Sequence, residues 1–518
     1  MLDQPRAEGG TTPTGTDVVV IGAGFGGLAT AYNLRRRGVT RFVVLERSHG
    51  AGGTWWDNRY PGAEVDVTSE LYSLSFAPHV FGRTHARQAE IQAYIEKAVD
   101  DHGLRGHLRF GTRVTSVRWE DATRTYLVTA EDGRQWRAGH VVACVGQLNN
   151  PRRPDWPGLA DFTGPCFHTS RWDHSVDLTG KRVALVGTGS TSAQVLPPLA
   201  EAAGHTYLFQ RQPGWVLPKD DRDYPPEEVA RLTGSRWEAR RRRIAAFIQL
   251  EKMRSAARVG TKANRRMQAK AEEYLRTAVA DPELRAMLTP DYPFYGKRPV
   301  LTQYYYPALA REDVTLVPRS VERVTSRSVI DSAGVATEVD VLILATGFQP
   351  SRFLATFEVL GRGGIRLRDV WGDEPRSMLG MMAVGFPEFY VTYGPNTNGG
   401  VVTFMLERQA EWIADAIVGA RRAGVAREPK SAPVALMDRI LLRRNGTFVW
   451  SRTGNNYYTS GSGRVVTQWP YSQKLYWLLT RALRPGLMCR SVGPARPIPD
   501  SAEPGDAVAD RRREPIHD

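Results

Sequence analysis

Two glycine clusters carry the clearest chemistry in this chain. In the first, Gly22-Ala-Gly24-Phe-Gly26-Gly27 follows the apolar run DVVVI and opens a stretch of helical character. A dinucleotide-binding turn requires that context. Gly22 permits the tight turn, Gly24 lets the backbone approach a pyrophosphate, and Gly27 allows the helix to pack closely on the strand. The phosphates then sit at the positive end of the helix. Glu46 ends the next apolar run, 19 residues beyond Gly27, where a carboxylate accepts hydrogen bonds from ribose hydroxyls. The second cluster, Gly187-Thr188-Gly189-Ser190-Thr191-Ser192, repeats the pattern without its third glycine, and the small Ser192 stands in that place. Here the following strand ends in Arg211 rather than in an acid. A carboxylate would repel a 2′-phosphate, whereas a guanidinium grips it through charge-assisted hydrogen bonds, which favours NADPH over NADH. Two such sites in one chain imply electron transfer from NADPH to a bound flavin.

Each cluster needs a strand before it and a helix behind it. The segments from Asp17 to Arg47 and from Lys181 to Arg211 both read as apolar strand, glycine turn, helix and apolar strand. Short apolar runs without alternation are buried parallel strands of βαβ units. The expected fold class is therefore α/β, with two dinucleotide-binding (Rossmann-like) domains, one for FAD and one for NADPH. HLRFGTRVTSVRW, TYLVTAEDG and HVVACVG complete the first sheet, and the Pro-rich NNPRRPDWPG connects the domains. Strong helix formers from about 225 to 290 predict a helical insertion. This layout assigns 14–148 and 380–492 to a discontinuous FAD domain and 149–379 to the NADPH domain. Residues 1–13 and 493–518, rich in Pro and charge, are expected to be flexible tails.

The 518 residues, 42% hydrophobic and 24% charged, suffice for two or three packed domains and argue against disorder or a disulfide-dense scaffold. No apolar run approaches the ~20 residues of a membrane span, so no transmembrane segment is expected. Three widely spaced cysteines and the lack of a secretory pattern predict a reducing cytoplasm. The net charge of +14 raises the question of nucleic acid, but between Arg231 and Lys270 stand 13 Lys/Arg against 2 Asp/Glu. Most of the excess thus belongs to one segment, which predicts a solvated helical face and no nucleic-acid partner. There is no HExxH, no paired-cysteine spacing and no GxSxG, so neither a metal centre, a flavin disulfide reductase nor a serine hydrolase is expected.

The run GGTWWDNRYPGAEVDVTSELY, from Gly52 to Tyr72, resembles the segment after the first βαβ unit of the Baeyer–Villiger monooxygenases. Between the two glycine clusters comes Phe162-x-Gly164-x-x-x-His168-x-x-x-Trp172-Asp173. It matches the FxGxxxHxxxW(P/D) signature of the NADPH-dependent, FAD-containing members, in order and in place. The resemblance runs from about Thr16 to Arg484. It takes in LFQRQPG, with Gln212 where a threonine is common, YPFYGKRPVL with its Lys297-Arg298 pair, and the ATG of DVLILATGF. It implies that Lys297 joins Arg211 on the 2′-phosphate, that Arg298 is the active-site arginine beside the flavin, and that Asp66 orients it. It also implies FAD contacts at Thr54, Trp55, Tyr72 and near Val114. His168 and Trp172 would belong to a hinge that couples domain movement to cofactor binding, and neither would be an acid or base. From Arg452 to Trp469 the chain aligns poorly with better-known members, which leaves the substrate-facing residues unassigned.

By this resemblance the protein is expected to use NADPH and O2 to insert one oxygen atom beside the carbonyl of a cyclic or bulky ketone. The product is an ester or lactone, formed through a flavin C4a-peroxide. A permanent cation suits that chemistry, since arginine keeps its proton near neutral pH and stabilises developing negative charge. A flavin monooxygenase that oxidises nitrogen or sulfur would share both glycine clusters but lack the full signature and the Lys297-Arg298 pair. A degenerate flavoprotein serving as a scaffold or redox sensor would not need Gly22, Gly24, Gly27, Glu46, Arg211 and Arg298 intact. The sequence does not specify an oligomeric state.

Overall fold

The computed structural model describes residues 12–454 and 456–494. The outer parts of the expected tails, 1–11 and 495–518, lie outside the described residues. Strand Thr14–Ile21 runs parallel to Phe42–Leu45 on one side and to Gln135–Ala143 on the other. Its unbroken apolar character has a direct cause, for both faces are covered. Val18 and Val20 pack with Val44 and Val142 under helix Phe25–Arg36, which meets the long helix Val402–Ala423. Val19 and Ile21 point the other way, into a cluster with Val43, Val117 and Val141.

The first sheet runs in the order Glu358–Leu360, Val114–Glu120, Thr125–Ala130, Gln135–Ala143, Thr14–Ile21, Phe42–Leu45, Leu108–Arg109. Strand Phe389–Val391 pairs with the last residues of Gln135–Ala143. The second sheet is all parallel, in the order Val314–Val317, His205–Phe209, Arg182–Val186, Val341–Leu344, Cys166–His168. Helix Ser190–Ala202 covers one face through Val183, Leu185 and Ile343.

Two positions differ from the sequence layout. Glu358–Leu360 precedes the expected boundary at 379/380, yet it pairs in parallel with Ser116–Arg118 of the first sheet. Phe357, Val359, Leu367 and Trp371 fill the same core as Val19 and Val117. The strand is only three residues long and continues the apolar stretch from Phe353 to Phe357, so no strand period sets it apart. At the other end, Gly493 and Pro494 were expected in a tail but extend strand Cys489–Pro494, which pairs antiparallel with Val425–Pro429.

The insertion consists of helices Pro226–Gly234, Arg236–Met253, Lys262–Ala278 and Pro282–Met287. Several of its arginines are engaged: Arg242 with Glu228 at 2.7 Å, Arg231 with Glu238, and Arg243 with Ser73 Oγ at 2.8 Å. A cation already paired with a carboxylate, as Arg231 and Arg242 are, neutralises fewer phosphates of a polyanion. Generic duplex DNA should therefore bind no tighter than the non-specific range, about 10⁻⁴–10⁻⁶ M at physiological salt, and should leave NADPH oxidation unchanged. A tight, sequence-selective complex in a fluorescence titration would contradict this. Among the described residues no helix is long and apolar enough to cross a membrane.

Ser192, in the place of the third glycine, is fully buried, and its hydroxyl has no hydrogen-bond partner among the described residues. An unpaired buried hydroxyl is costly, so Ser192→Ala should stabilise the protein by about 1 kcal/mol. Calorimetry would show this as a raised unfolding temperature, and a lowered one would contradict it.

Candidate active site

The carboxyl ends of Thr14–Ile21 and Arg182–Val186 open onto one cavity of about 1860 Å³, whose wall includes Gly22, Gly24, Gly187 and Gly189. Crevices at strand ends are where open α/β sheets hold nucleotides. The two halves are built alike. Gly22 has φ +101°, and a Cβ there would meet the Cys144 carbonyl oxygen at 2.7 Å. Gly187 has φ +122° and abuts the Ala345 carbonyl in the same way. In the first half Gly27 faces Gly22 so closely that any side chain would collide with its carbonyl oxygen. Helices Phe25–Arg36 and Ser190–Ala202 both start without a side-chain cap, and their first turns line the cavity. Uncapped amides at a helix start are a cradle for phosphate. The residues present thus fit two dinucleotides.

On the first side, the buried Glu46 carboxylate accepts the Ala23 amide at 2.7 Å and the Ser48 amide at 2.8 Å, and it faces the cavity. Thr54 begins a short helix that carries Trp55. The Trp55 indole donates to the Tyr72 hydroxyl at 3.2 Å, and burial pushes that phenol up to about 12. Thr54, Trp55, Tyr72 and Val114 all line the cavity.

On the second side, the Thr188 hydroxyl donates to the Gln212 carbonyl at 3.0 Å, which ties the glycine turn to the end of the next strand. Ser190, Thr191, Arg211, Gln212 and Lys297 line this part of the wall. Lys297 donates to the side-chain oxygen of Gln212, whose amide group donates to Asp291 at 2.7 Å. Burial, and then the neighbouring Arg211, lower the Lys297 pKa. Arg211 is exposed and makes no hydrogen bond or ion pair with the described residues. Two adjacent cations, one of them uncommitted, form a site for a doubly charged anion.

Arg298 lies between the two halves. Its guanidinium donates to Asp66 Oδ2 at 3.0 Å, and both residues line the cavity. Gln194 Nε2 stands 3.5 Å from the other Asp66 oxygen. Tyr457 above all, and Asp66, push the Arg298 pKa further up. Arg298 therefore remains a cation at any working pH.

Sequence reasoning left Arg452 to Trp469 unassigned, and the fold brings this segment to the arginine. Tyr457, Tyr458, Trp450 and Trp469 line the same cavity as Arg298, as do Tyr295 and Tyr393. Asn456 holds the turn: its side chain donates to the Trp450 carbonyl at 2.8 Å and accepts the Tyr458 amide at 2.9 Å. The density of aromatic and small polar residues in this stretch was a readable signal.

The signature residues lie outside the cavity wall. Phe162 packs beneath the second sheet, and Gly164 passes against the Asp340 carbonyl. His168 is 1% exposed; its Nδ1 accepts the Ser170 amide at 3.1 Å, which leaves Nε2 to donate to the Gly347 carbonyl at 3.1 Å. Burial lowers its pKa, so the ring stays neutral. The same carbonyl accepts the Arg152 amide at 2.8 Å, which joins the signature, the Pro-rich connection and the ATG turn. Trp172 packs edge-on against Phe167 at 5.2 Å, and Asp173 caps its own turn through Ser175.

Two dinucleotide cradles sharing one cavity define a flavoprotein fed by a nicotinamide cofactor. A sequence profile of the flavin-binding monooxygenase-like family matches residues 15–357. A Baeyer–Villiger monooxygenase of Streptomyces coelicolor is 37% identical over 472 residues, covering 88% of each chain. The closed crystal structure of cyclohexanone monooxygenase superposes with a TM-score of 0.85 at 30% identity, covering 93% of this chain and 99% of that one. Oxidised steroid monooxygenase bound to NADP gives 0.83 at 29%, covering 92% and 99%. The chain belongs to the flavin-binding monooxygenase-like family and, within it, to the Baeyer–Villiger monooxygenases, which makes it an FAD- and NADPH-dependent monooxygenase.

Proposed function

We propose that the protein converts a bulky or cyclic ketone to an ester or lactone, with Arg298 as the residue that stabilises charge at the reacting centre. The observation that carries this reading is the Arg298–Asp66 pair, at 3.0 Å, where the two cofactor cradles meet. FAD, once reduced by NADPH, supplies the redox chemistry with O2. The chain supplies the rest. Glu46 takes the ribose hydroxyls of FAD, and the amides after Gly22 and Gly24 take its pyrophosphate. Arg211 and Lys297 take the 2′-phosphate of NADPH, and the turn from Gly187 to Thr191 takes its pyrophosphate. Asp66 holds the Arg298 fork in one orientation, so the cation is already in place when negative charge develops on the substrate oxygen. The aromatic wall of Tyr295, Tyr393, Trp450, Tyr457 and Tyr458 excludes water and suits a large apolar ketone. His168, Trp172 and Asp173 have structural roles at the junction of the second sheet and the connection. Three unpaired thiols fit a cytoplasmic setting.

A panel of cyclic, polycyclic and aryl ketones, with NADPH oxidation followed optically and products by mass, tests the reading. An added oxygen atom in a ketone product supports it. Oxygenation of amines and sulfides alone would overturn it.

A further inference from the structure

A buried lysine on the far side of the cavity wall grips the segment that carries Asp66. Strands Val216–Leu217 and Val300–Leu301 form a parallel two-stranded ribbon. Arg298 precedes the second strand by two residues, and Lys219 follows the first by two. Both reach the same three residues, Glu64-Val65-Asp66. Arg298 binds Asp66 at 3.0 Å, while Lys219 Nζ binds Glu64 Oε1 at 2.5 Å and donates to the Val65 carbonyl at 3.3 Å. Gln194, from the helix of the second glycine cluster, donates to the Glu64 carbonyl at 3.0 Å.

Lys219 is not exposed to the cavity, and its side chain is 4% accessible, against 8% for Glu64. A cation so deeply buried persists only when its partners are held in place. Behind it lies a second buried pair, Arg83–Asp221 at 2.8 Å. His85 stands 4.0 Å from Asp221, and burial lowers its pKa to about 4, so it adds no charge at neutral pH.

We propose that Lys219 is a positioning residue for Arg298: its bonds to Glu64 and to the Val65 carbonyl set where Asp66 stands, and so how the guanidinium is aimed. This rests on the role given to Arg298 above. Released from Lys219, the Glu64–Asp66 stretch would shift and carry Asp66 with it, whereas Glu46, Arg211 and Lys297, which Lys219 does not touch, would keep their places.

The test uses the FAD-loaded enzyme carrying Lys219→Met, Lys219→Arg, or Lys219→Met with Glu64→Gln, each with and without Arg298→Ala. The double change leaves no lone buried carboxylate and guards against simple misfolding. Two quantities are read: ester formed per NADPH consumed for a ketone the parent enzyme converts, and hydrogen peroxide released without ketone. Lys219→Met is expected to lower the ester yield per NADPH by about 10- to 100-fold, the scale of a misplacement of about 1 Å, with KM for NADPH unchanged. The double change should show the same loss, and Lys219→Arg should recover part of it. In the Arg298→Ala background the change at Lys219 should no longer affect peroxide release. Parental coupling in the double variant, or an undiminished effect without Arg298, would overturn the proposal. If the parent enzyme oxidises no ketone at all, the reading of function fails separately, and peroxide release still reports whether Lys219 acts through Arg298.

Discussion

Arg298→Ala is expected to bind FAD and consume NADPH while yielding almost no ester or lactone. The hydrogen bonds of Glu46, Trp55 and Tyr72 in the first cradle do not involve this side chain. If Arg211 and Lys297 take the 2′-phosphate as proposed, NADPH should still bind, although hydride transfer slows if the ring is less well seated. What disappears is a permanent cation fixed at 3.0 Å from Asp66 and facing the cavity. Loss of one preorganised electrostatic donor costs roughly 3–4 kcal/mol, or about 100- to 1,000-fold in rate. NADPH should therefore be spent on hydrogen peroxide rather than product. Stopped-flow mixing of reduced enzyme with oxygen, together with product quantitation, measures both. Ester formation at the parental rate and coupling would refute the role given to Arg298. Lysine should be a poor substitute, because it cannot present the planar fork that Asp66 holds.

Replacing Arg211 or Lys297 with alanine is expected to raise KM for NADPH far more than for NADH. Each charge-assisted contact to a phosphate contributes about 1.5–3 kcal/mol, which corresponds to roughly tenfold to over a hundredfold in affinity. The two positions are not equivalent. Arg211 has no partner among the described residues, so its removal deletes charge with little other disturbance. Lys297 is tied to Gln212 and stands over the Tyr292 ring at 5.1 Å, so its loss also loosens the Gln212–Asp291 link. Arg211→Ala removes one of the influences that lower the Lys297 pKa, and Lys297 then becomes a firmer cation. The double variant should accordingly lose more than the sum of the single losses. Steady-state kinetics with both cofactors decides the matter, and equal changes for NADPH and NADH would remove the phosphate assignment.

Much of the cofactor framework was legible in the sequence because local sterics dictate it. A positive φ at Gly22 and Gly187, and the collision any side chain at Gly27 would cause, leave few residue types that work. Glu46 and Arg211 follow from the length of a βαβ unit, which sets where the next strand ends. Strand Glu358–Leu360 was not legible, since three residues are too few to show a period, and its pairing with Val114–Glu120 is set at long range. The complete burial of Ser192, whose hydroxyl has no partner among the described residues, was not legible either, because it depends on what packs against its helix.

The chain's local order thus determined two βαβ units, their glycine turns and the sign of the charge that follows the second strand of each, Glu46 in one and Arg211 in the other. Those properties depend on neighbours within about 30 residues, the span of one such unit. Only the tertiary structure decided which distant residues meet. Asp66 and Arg298 lie 232 positions apart and touch at 3.0 Å because the Val216–Leu217/Val300–Leu301 ribbon closes over the segment after the first helix. Tyr457 reaches the same arginine from the far end of the chain, and Lys219 grips Glu64 from behind the wall. No periodicity or spacing encodes such contacts. They arise when separate cores pack, and each is specified by burial and charge pairing that exist only after the chain has folded.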